Sequence, residues 1–306
     1  AEGILNEDGE LLDEKALTVA LNDFWKITGI KERRVIPSLW GKKVIVRIVS
    51  LPDIPTQHLH QTILSEAERY ALFREDTELM IDYSYAKDGE ELWVIYAVTP
   101  RQLVEQYKNV FRKAGLRVLA MDVAQVASQR AVGYYHPPGE GRGWTSAVLL
   151  SGKILISHWR DAKLITWREV ALMFYKEEEY QQFELMAENF ESEVTRTIEA
   201  EPNISTEYPL YIVANSRAMA TELATHLQRR ESLPMEVIKD FYYLMNIPES
   251  IEHMSLSTLG TALWGQVIDL IPSINLLKYV RPSINELMLS FLQDVIIKQK
   301  PYFKTY

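Results

Sequence analysis

Residues 145–170, TSAVLLSGKILISHWRDAKLITWREV, decide the fold. Three short β-branched runs, TSAVLL (145–150), KILISHW (153–159) and KLITWREV (163–170), are separated by Ser151-Gly152 and Arg160-Asp161-Ala162. Apolar runs bounded by turn residues predict an antiparallel meander. A long helix is expected next, from about Lys176 to Ala200. It sets Phe183, Met186, Phe190 and Val194 inward and many glutamates outward. PLYIVAN then reads as a buried strand, SRAMATELATHLQRR as a helix and MEVIK as an edge strand. The second half therefore runs β-β-β-α-β-α-β.

The first half is organised differently. A strand and a turn at Glu7-Asp8-Gly9-Glu10 lead to a helix from about Glu14 to Thr28, with Leu17, Ala20, Leu21, Phe24 and Trp25 on one face. Gly29 stops it, and RVIPSLW reads as a buried strand. From residue 43 a compact unit follows. KVIVRIVSL (43–51) is a strand, and Leu59, Ile63, Ala67 and Tyr70 mark one helical stripe. ELMIDYSYAK (78–87) and ELWVIYAVT (91–99) are hairpin partners about Asp88-Gly89. A helix opens at Pro100, with Leu103, Tyr107, Val110 and Ala114 on one side. Gly115 ends it, and LRVLAMDV (116–123) is the last strand. The order is β-α-β-β-α-β, a recognised supersecondary pattern. VAQVASQRAVGYY (123–135) reads as a helix leading away, and HPPGEGRG (136–143) as a loop.

Three antiparallel strands followed by helix–strand repeats form the lobe of the actin-like, ribonuclease H-like architecture. The expected fold class is thus α/β, a two-lobe actin-like fold with an inserted βαββαβ subdomain. The first lobe shows only its final helix–strand part, so it is expected to be truncated at the N-terminus. The predicted organisation is 1–42, the remainder of the first lobe; 43–123, the inserted subdomain; 124–270, the second lobe; and 271–306, a C-terminal docking and juxtamembrane segment.

At 306 residues the chain has room for about two domains of ordinary size. A net charge of −9 argues against nucleic-acid binding, which needs a basic footprint. With no cysteine, disulfides, thiol nucleophiles and Cys-based metal sites are excluded together. No secretory leader opens the sequence, and no apolar run is long enough to span a bilayer. The best candidate, Leu287 to Ile297, is too short and is broken by Gln293 and Asp294. The end is nevertheless basic: Lys278, Arg281, Lys298, Lys300 and Lys304 outnumber Glu286 and Asp294. Basic residues beside an amphipathic segment suit an anionic membrane face.

Motifs for chemistry are weak. Ser151-Gly152-Lys153 lacks the upstream Gly of a phosphate loop, Ala147 standing there, and Ile154 replaces its Ser or Thr. GEGRG (139–143) fails a dinucleotide fingerprint because Trp144 occupies the third glycine position. His58 and His60 lack a third ligand nearby, and the other histidines (136, 158, 226, 253) show no ligand spacing. Glu177, Glu178 and Glu179 read as a solvated helix face. No Ser–His–Asp arrangement can be argued from order. No metal, cofactor-binding or catalytic residue is expected.

Two stretches carry a family resemblance: KKVIVRIVSLPDIPTQHLHQTILSEAERYALFREDTELMIDY and VTPRQLVEQYKNVFRKAGLRVLAMDV. In both, the order and spacing of the elements resemble the PilM family of type IV pilus assembly proteins and the cytoplasmic part of GspL from type II secretion. The resemblance covers roughly residues 1–280. It implies an actin-like cytoplasmic scaffold carrying an inserted subdomain. Family members bind ATP between their lobes through glycine-rich turns. Here the corresponding places read LLSGK, ALMFYKEEE and VANSRAM, and the first phosphate turn belongs to the part ahead of Ala1. A pseudo-ATPase with no cofactor is expected.

The resemblance also gives meaning to SINLLKYVRP (273–282). The pilus partner PilN carries an Ile-Asn-Leu-Leu-Pro segment that PilM captures in a groove, and GspL-like chains carry a similar segment themselves. Ile274, Asn275, Leu276 and Leu277 are therefore the expected partner-binding residues, docking on the chain's own first lobe with Asn275 hydrogen-bonded to backbone. The implied role is a non-catalytic scaffold, cytoplasmic and peripheral to the bacterial inner membrane. Its expected partners are PilN- or GspM-like platform proteins, the assembly ATPase and a second copy of the chain, with no nucleic acid. The alternatives are an ATP-hydrolysing or sugar-kinase-like enzyme on the same fold and an FtsA-like filament protein.

Overall fold

A computed structural model describes residues 3–6, 9–70, 73, 76–135, 143–150, 153–160, 163–171, 179–200, 208–214, 217–230, 237–238, 256–265 and 273–278. Helix α1 (Glu14–Thr28) begins where the Asp13 carboxylate accepts the N–H groups of Lys15 and Ala16, and it ends at Gly29 in the left-handed region. Its expected apolar stripe is only partly used. Leu17, Leu21 and Trp25 are half-buried, Phe24 is exposed, and the helix packs on α3 (Arg101–Lys113).

RVIPSLW is not one strand. It forms two short pieces, β1 (Arg34–Val35) and β2 (Ser38–Leu39), of which only Leu39 is buried. Proline supplies no N–H and interrupts a ladder, and Pro37 sits at the break. Three further strands form one antiparallel sheet in the order β3-β5-β4: β3 (Ile45–Pro52), β4 (Leu79–Asp88) and β5 (Glu91–Pro100). The β4–β5 turn is Gly89-Glu90, one residue later than expected, with Asp88 still paired to Glu91. Helix α2 (Thr56–Tyr70) sets Leu59, Ile63 and Ala67 on Leu92, Val94, Tyr96 and Val98. Tyr70 leaves that stripe; its exposed ring lies 4.0 Å from the Arg47 guanidinium.

The strand expected over 116–123, the last of the inserted unit, also divides. β6 (Arg117–Val118) pairs with β1 and β7 (Asp122–Val123) with β2, both in parallel, so it joins residues 34–39 and not the three-stranded sheet. Three residues, 119–121, lie between β6 and β7, against two, 36 and 37, between β1 and β2. An extra residue of this kind disrupts the ladder locally and leaves backbone groups for other partners.

The second half follows its pattern closely. β8 (Gly143–Leu150), β9 (Lys153–Arg160) and β10 (Lys163–Ala171) form the meander. α5 (Glu179–Ala200), β11 (Leu210–Val213), α6 (Arg217–Arg230) and β12 (Val237–Ile238) complete it. The sheet order is β10-β9-β8-β11-β12, with β8, β11 and β12 mutually parallel. Met186, Phe190 and Val194 of α5 are buried as their spacing predicts.

Helix α4 (Ala124–Tyr135) does not lead away. It is buried between that sheet and the short helix α7 (Leu256–Ala262). Its polar residues are therefore partnered internally. Gln129 Oε1 accepts from Ser157 Oγ at 2.7 Å and Trp159 Nε1 at 3.3 Å. Arg130, fully buried, pairs with Asp122 at 2.7 and 3.3 Å and donates to the Gly260 carbonyl at 2.8 Å. Burial raises the Asp122 pKa, and Arg130 partly offsets that. His158, buried with its Nδ1 3.1 Å from Thr145 Oγ1, is lowered to about 4 by burial and the Arg160 charge.

The α4–α7 crossing is set by glycine. A Cβ on Gly260 would stand 1.6 Å from the Ala127 carbonyl oxygen. Gly260→Ala must part the two backbones and disturb the Arg130 contact, and a cost of about 3 kcal/mol is expected. Urea unfolding checks this; a midpoint unchanged from the wild type would contradict the packing.

Candidate docking site for the Ile-Asn-Leu-Leu segment

Residues 273–278 lie across the junction of the three-stranded sheet, the β6–β7 break and α7. The anchors are apolar: Ile274 and Leu276 are both fully buried, and Leu277 is half-buried against the same core. Burying two such side chains contributes about 1.5–3 kcal/mol each. Between them, Asn275 settles the polar groups. Its Oδ1 accepts the Met121 N–H at 3.1 Å and the Leu277 N–H at 3.0 Å, while Leu276 N–H donates to the Met121 carbonyl at 2.9 Å. The carbonyl oxygen of an amide has two lone pairs, so one side chain meets both donors.

Met121 can be read this way because it lies between β6 and β7, where the ladder is interrupted. The segment is also folded on itself, with Lys278 N–H donating to the Asn275 carbonyl at 2.9 Å. A side-chain oxygen accepting an N–H two residues on is an Asx-turn. At its start, Trp264 Nε1 donates to the Ile274 carbonyl at 3.0 Å, and Gly265 N–H to Ser273 Oγ at 3.1 Å. Thus the segment is tied to α7 on one side and to the first half of the chain on the other.

The floor of the site is charged. Asp82, on β4 and 2% exposed, accepts the Asn275 N–H at 2.8 Å through Oδ2 and Lys278 Nζ at 3.1 Å through Oδ1. Burial pushes its pKa up, and the Asn275 N–H and then Lys278 pull it partly back. Lys278 Nζ also stands 5.7 Å from the centre of the Tyr83 ring.

All four expected residues, Ile274 to Leu277, lie together in this site. Asp82, Met121, Trp264 and Lys278 were not expected there. Asp82 had one faint signal, a carboxylate within an alternating strand; backbone groups such as those of Met121 leave none. Beside the site a cleft of about 490 Å³ runs between Ile36, Pro37 and Ser38 on one wall and Thr258, Thr261, Ala262 and Trp264 on the other.

The expected nucleotide turns fall at Ser151-Gly152, 172–178 and Asn215-Ser216, and these lie outside the described residues, as does the chain from 279 onward. Among the described residues no group of three or more His, Cys, Asp or Glu is placed to hold a metal ion. His60 lies against Tyr83, whereas His58 is exposed beside Gln57. Among the described residues, no helix is long and apolar enough to cross a membrane.

Residues 2–151 match the family model of the type IV pilus assembly protein PilM. The chain is PilM-like. The structure of a PilM-PilN type IV pilus biogenesis complex is similar to it, with 18% identity, TM-score 0.70, and coverage of 86% of this chain and 88% of that one. A lesser similarity is to the cytoplasmic domain of EpsL, an inner membrane component of the type II secretion system of Vibrio cholerae, at 12% identity, TM-score 0.47, and 88% and 85% coverage. A Bacteroides thetaiotaomicron protein with an actin-like ATPase fold follows at 12% identity, TM-score 0.41, and 72% and 74% coverage. No curated protein matches the chain. The likeness at TM-score 0.70 gives the fold of this PilM-like chain, and residues 273–278 are built on that frame.

Asn275→Ala leaves the Met121 and Leu277 amides without their acceptor. A loss of about 1–3 kcal/mol is expected. Hydrogen exchange at Met121 should accelerate; unchanged protection there would show that Asn275 does not hold the segment.

Proposed function

We propose that this PilM-like chain is a non-catalytic scaffold of a type IV pilus or type II secretion inner-membrane platform. It would join membrane components to the cytoplasmic assembly ATPase. The observation that carries the reading is the docking of Ile274–Leu277 through Asn275 onto Met121 and Asp82. An Ile-Asn-Leu-Leu segment seated on a PilM-like body is what a chain would show if it supplied its own recognition segment. The match of residues 2–151 to the PilM family supports the same setting. So does the likeness to a structure that holds PilM together with PilN.

In this reading the basic residues beyond Lys278 lead toward an anionic inner-membrane face. The body stays on the cytoplasmic side, and a PilN- or GspM-like protein is its membrane partner. The lobe pair serves as a rigid adaptor and turns over no nucleotide.

The test is reconstitution from purified components. The full chain should retain a PilN- or GspM-like partner and the assembly ATPase in one complex, without ATP turnover of its own. Saturable, Mg²⁺-dependent binding of fluorescent ATP at micromolar concentrations, or failure to bind either protein, would overturn the proposal.

A further inference from the structure

The docked segment carries a charge at Lys278. Asp82 is almost completely buried, and the segment occupies both of its oxygens: the Asn275 N–H takes Oδ2 and Lys278 Nζ takes Oδ1. The first contact is blind to sequence, because any residue but proline offers an N–H. The second is not. Only a cationic side chain three positions after the asparagine reaches Oδ1 with a compensating charge. A buried carboxylate that loses its partner carries a desolvation cost.

We propose that Asp82 is the specificity-determining residue of this groove, selecting segments that carry a cation three residues after their asparagine. The inference rests on reading 273–278 as a docked recognition segment, and it adds what the groove reads beyond the Ile-Asn-Leu-Leu core. Ile274, Leu276 and the Met121 backbone supply sequence-tolerant affinity, since apolar anchors and main-chain hydrogen bonds accept many side chains. Asp82 supplies discrimination: a neutral residue at position 278 leaves the buried carboxylate with only the uncharged Asn275 and Tyr83 N–H groups, and an acidic one sets two carboxylates together. The groove therefore holds the chain's own Lys-bearing segment in preference to one that is neutral or acidic there. Tyr83 adds an aromatic face beside the ammonium group.

Hydrogen exchange of the Leu276 and Met121 amides in the full-length chain tests this. The Lys278 side chain is half-exposed, so substitutions there leave the core intact. Methionine, not proline, is the neutral replacement, because Lys278 N–H is itself bonded to Asn275. Lys278→Met is expected to speed exchange at both amides about three- to tenfold, and Lys278→Glu more, the gain being limited by solvent screening. Lys278→Arg should stay within about twofold of wild type. In an Asp82→Asn background, Lys278→Met should have no further effect.

Lys278→Met exchanging like wild type would overturn the inference while leaving the docking intact. So would a Lys278→Met effect of equal size in the Asp82→Asn background. Unprotected Leu276 and Met121 amides in the wild type would instead sink the docking reading itself.

Discussion

Asn275 Oδ1 is the atom on which the arrangement depends. It takes the Met121 N–H from the first half of the chain and the Leu277 N–H from its own segment. An apolar residue there would take this acceptor from both donors. With that oxygen in place, Ile274 and Leu276 enter the core and Trp264 closes over the Ile274 carbonyl. The segment then fastens α7 to β4 and to the β6–β7 break. An aspartate at 275 would offer the same lone pairs but bring a second negative charge beside Asp82.

Two buried carboxylates frame this junction, and they are handled differently. Asp122 is met by a guanidinium as buried as itself, in a two-pronged pair that also engages the Gly260 carbonyl. Such a pair recovers its desolvation cost only through good geometry and further hydrogen bonds, and both are present. Asp82 is met by a lysine that is half in solvent. The first pair is internal to the frame, whereas the second is partly open to solvent.

Much of the fold was legible because its elements obey single periods. The three strands of the meander alternate between short turns, and α5 repeats Met186, Phe190 and Val194 at four-residue steps. What failed was local. Residues 34–39 and 117–123 look like continuous strands in composition, but Pro37 and one extra residue between β6 and β7 break them. The stripe on α1 was read as a core face, yet none of its residues is fully buried. Of residues 273–278, Ile-Asn-Leu-Leu stood out through its resemblance to the PilN segment. Its receptor did not, because Met121 contributes backbone atoms, and Asp82 acts through a fold that brings residues 82 and 275 together.

The most direct test is the contact between residues 121 and 276. With methionine and leucine selectively labelled in the full chain, a nuclear Overhauser effect between the Leu276 amide and Met121 is expected, independent of protein concentration, because their N–H and carbonyl groups meet at 2.9 Å. Its absence, with random-coil shifts for residues 273–278, would contradict the account.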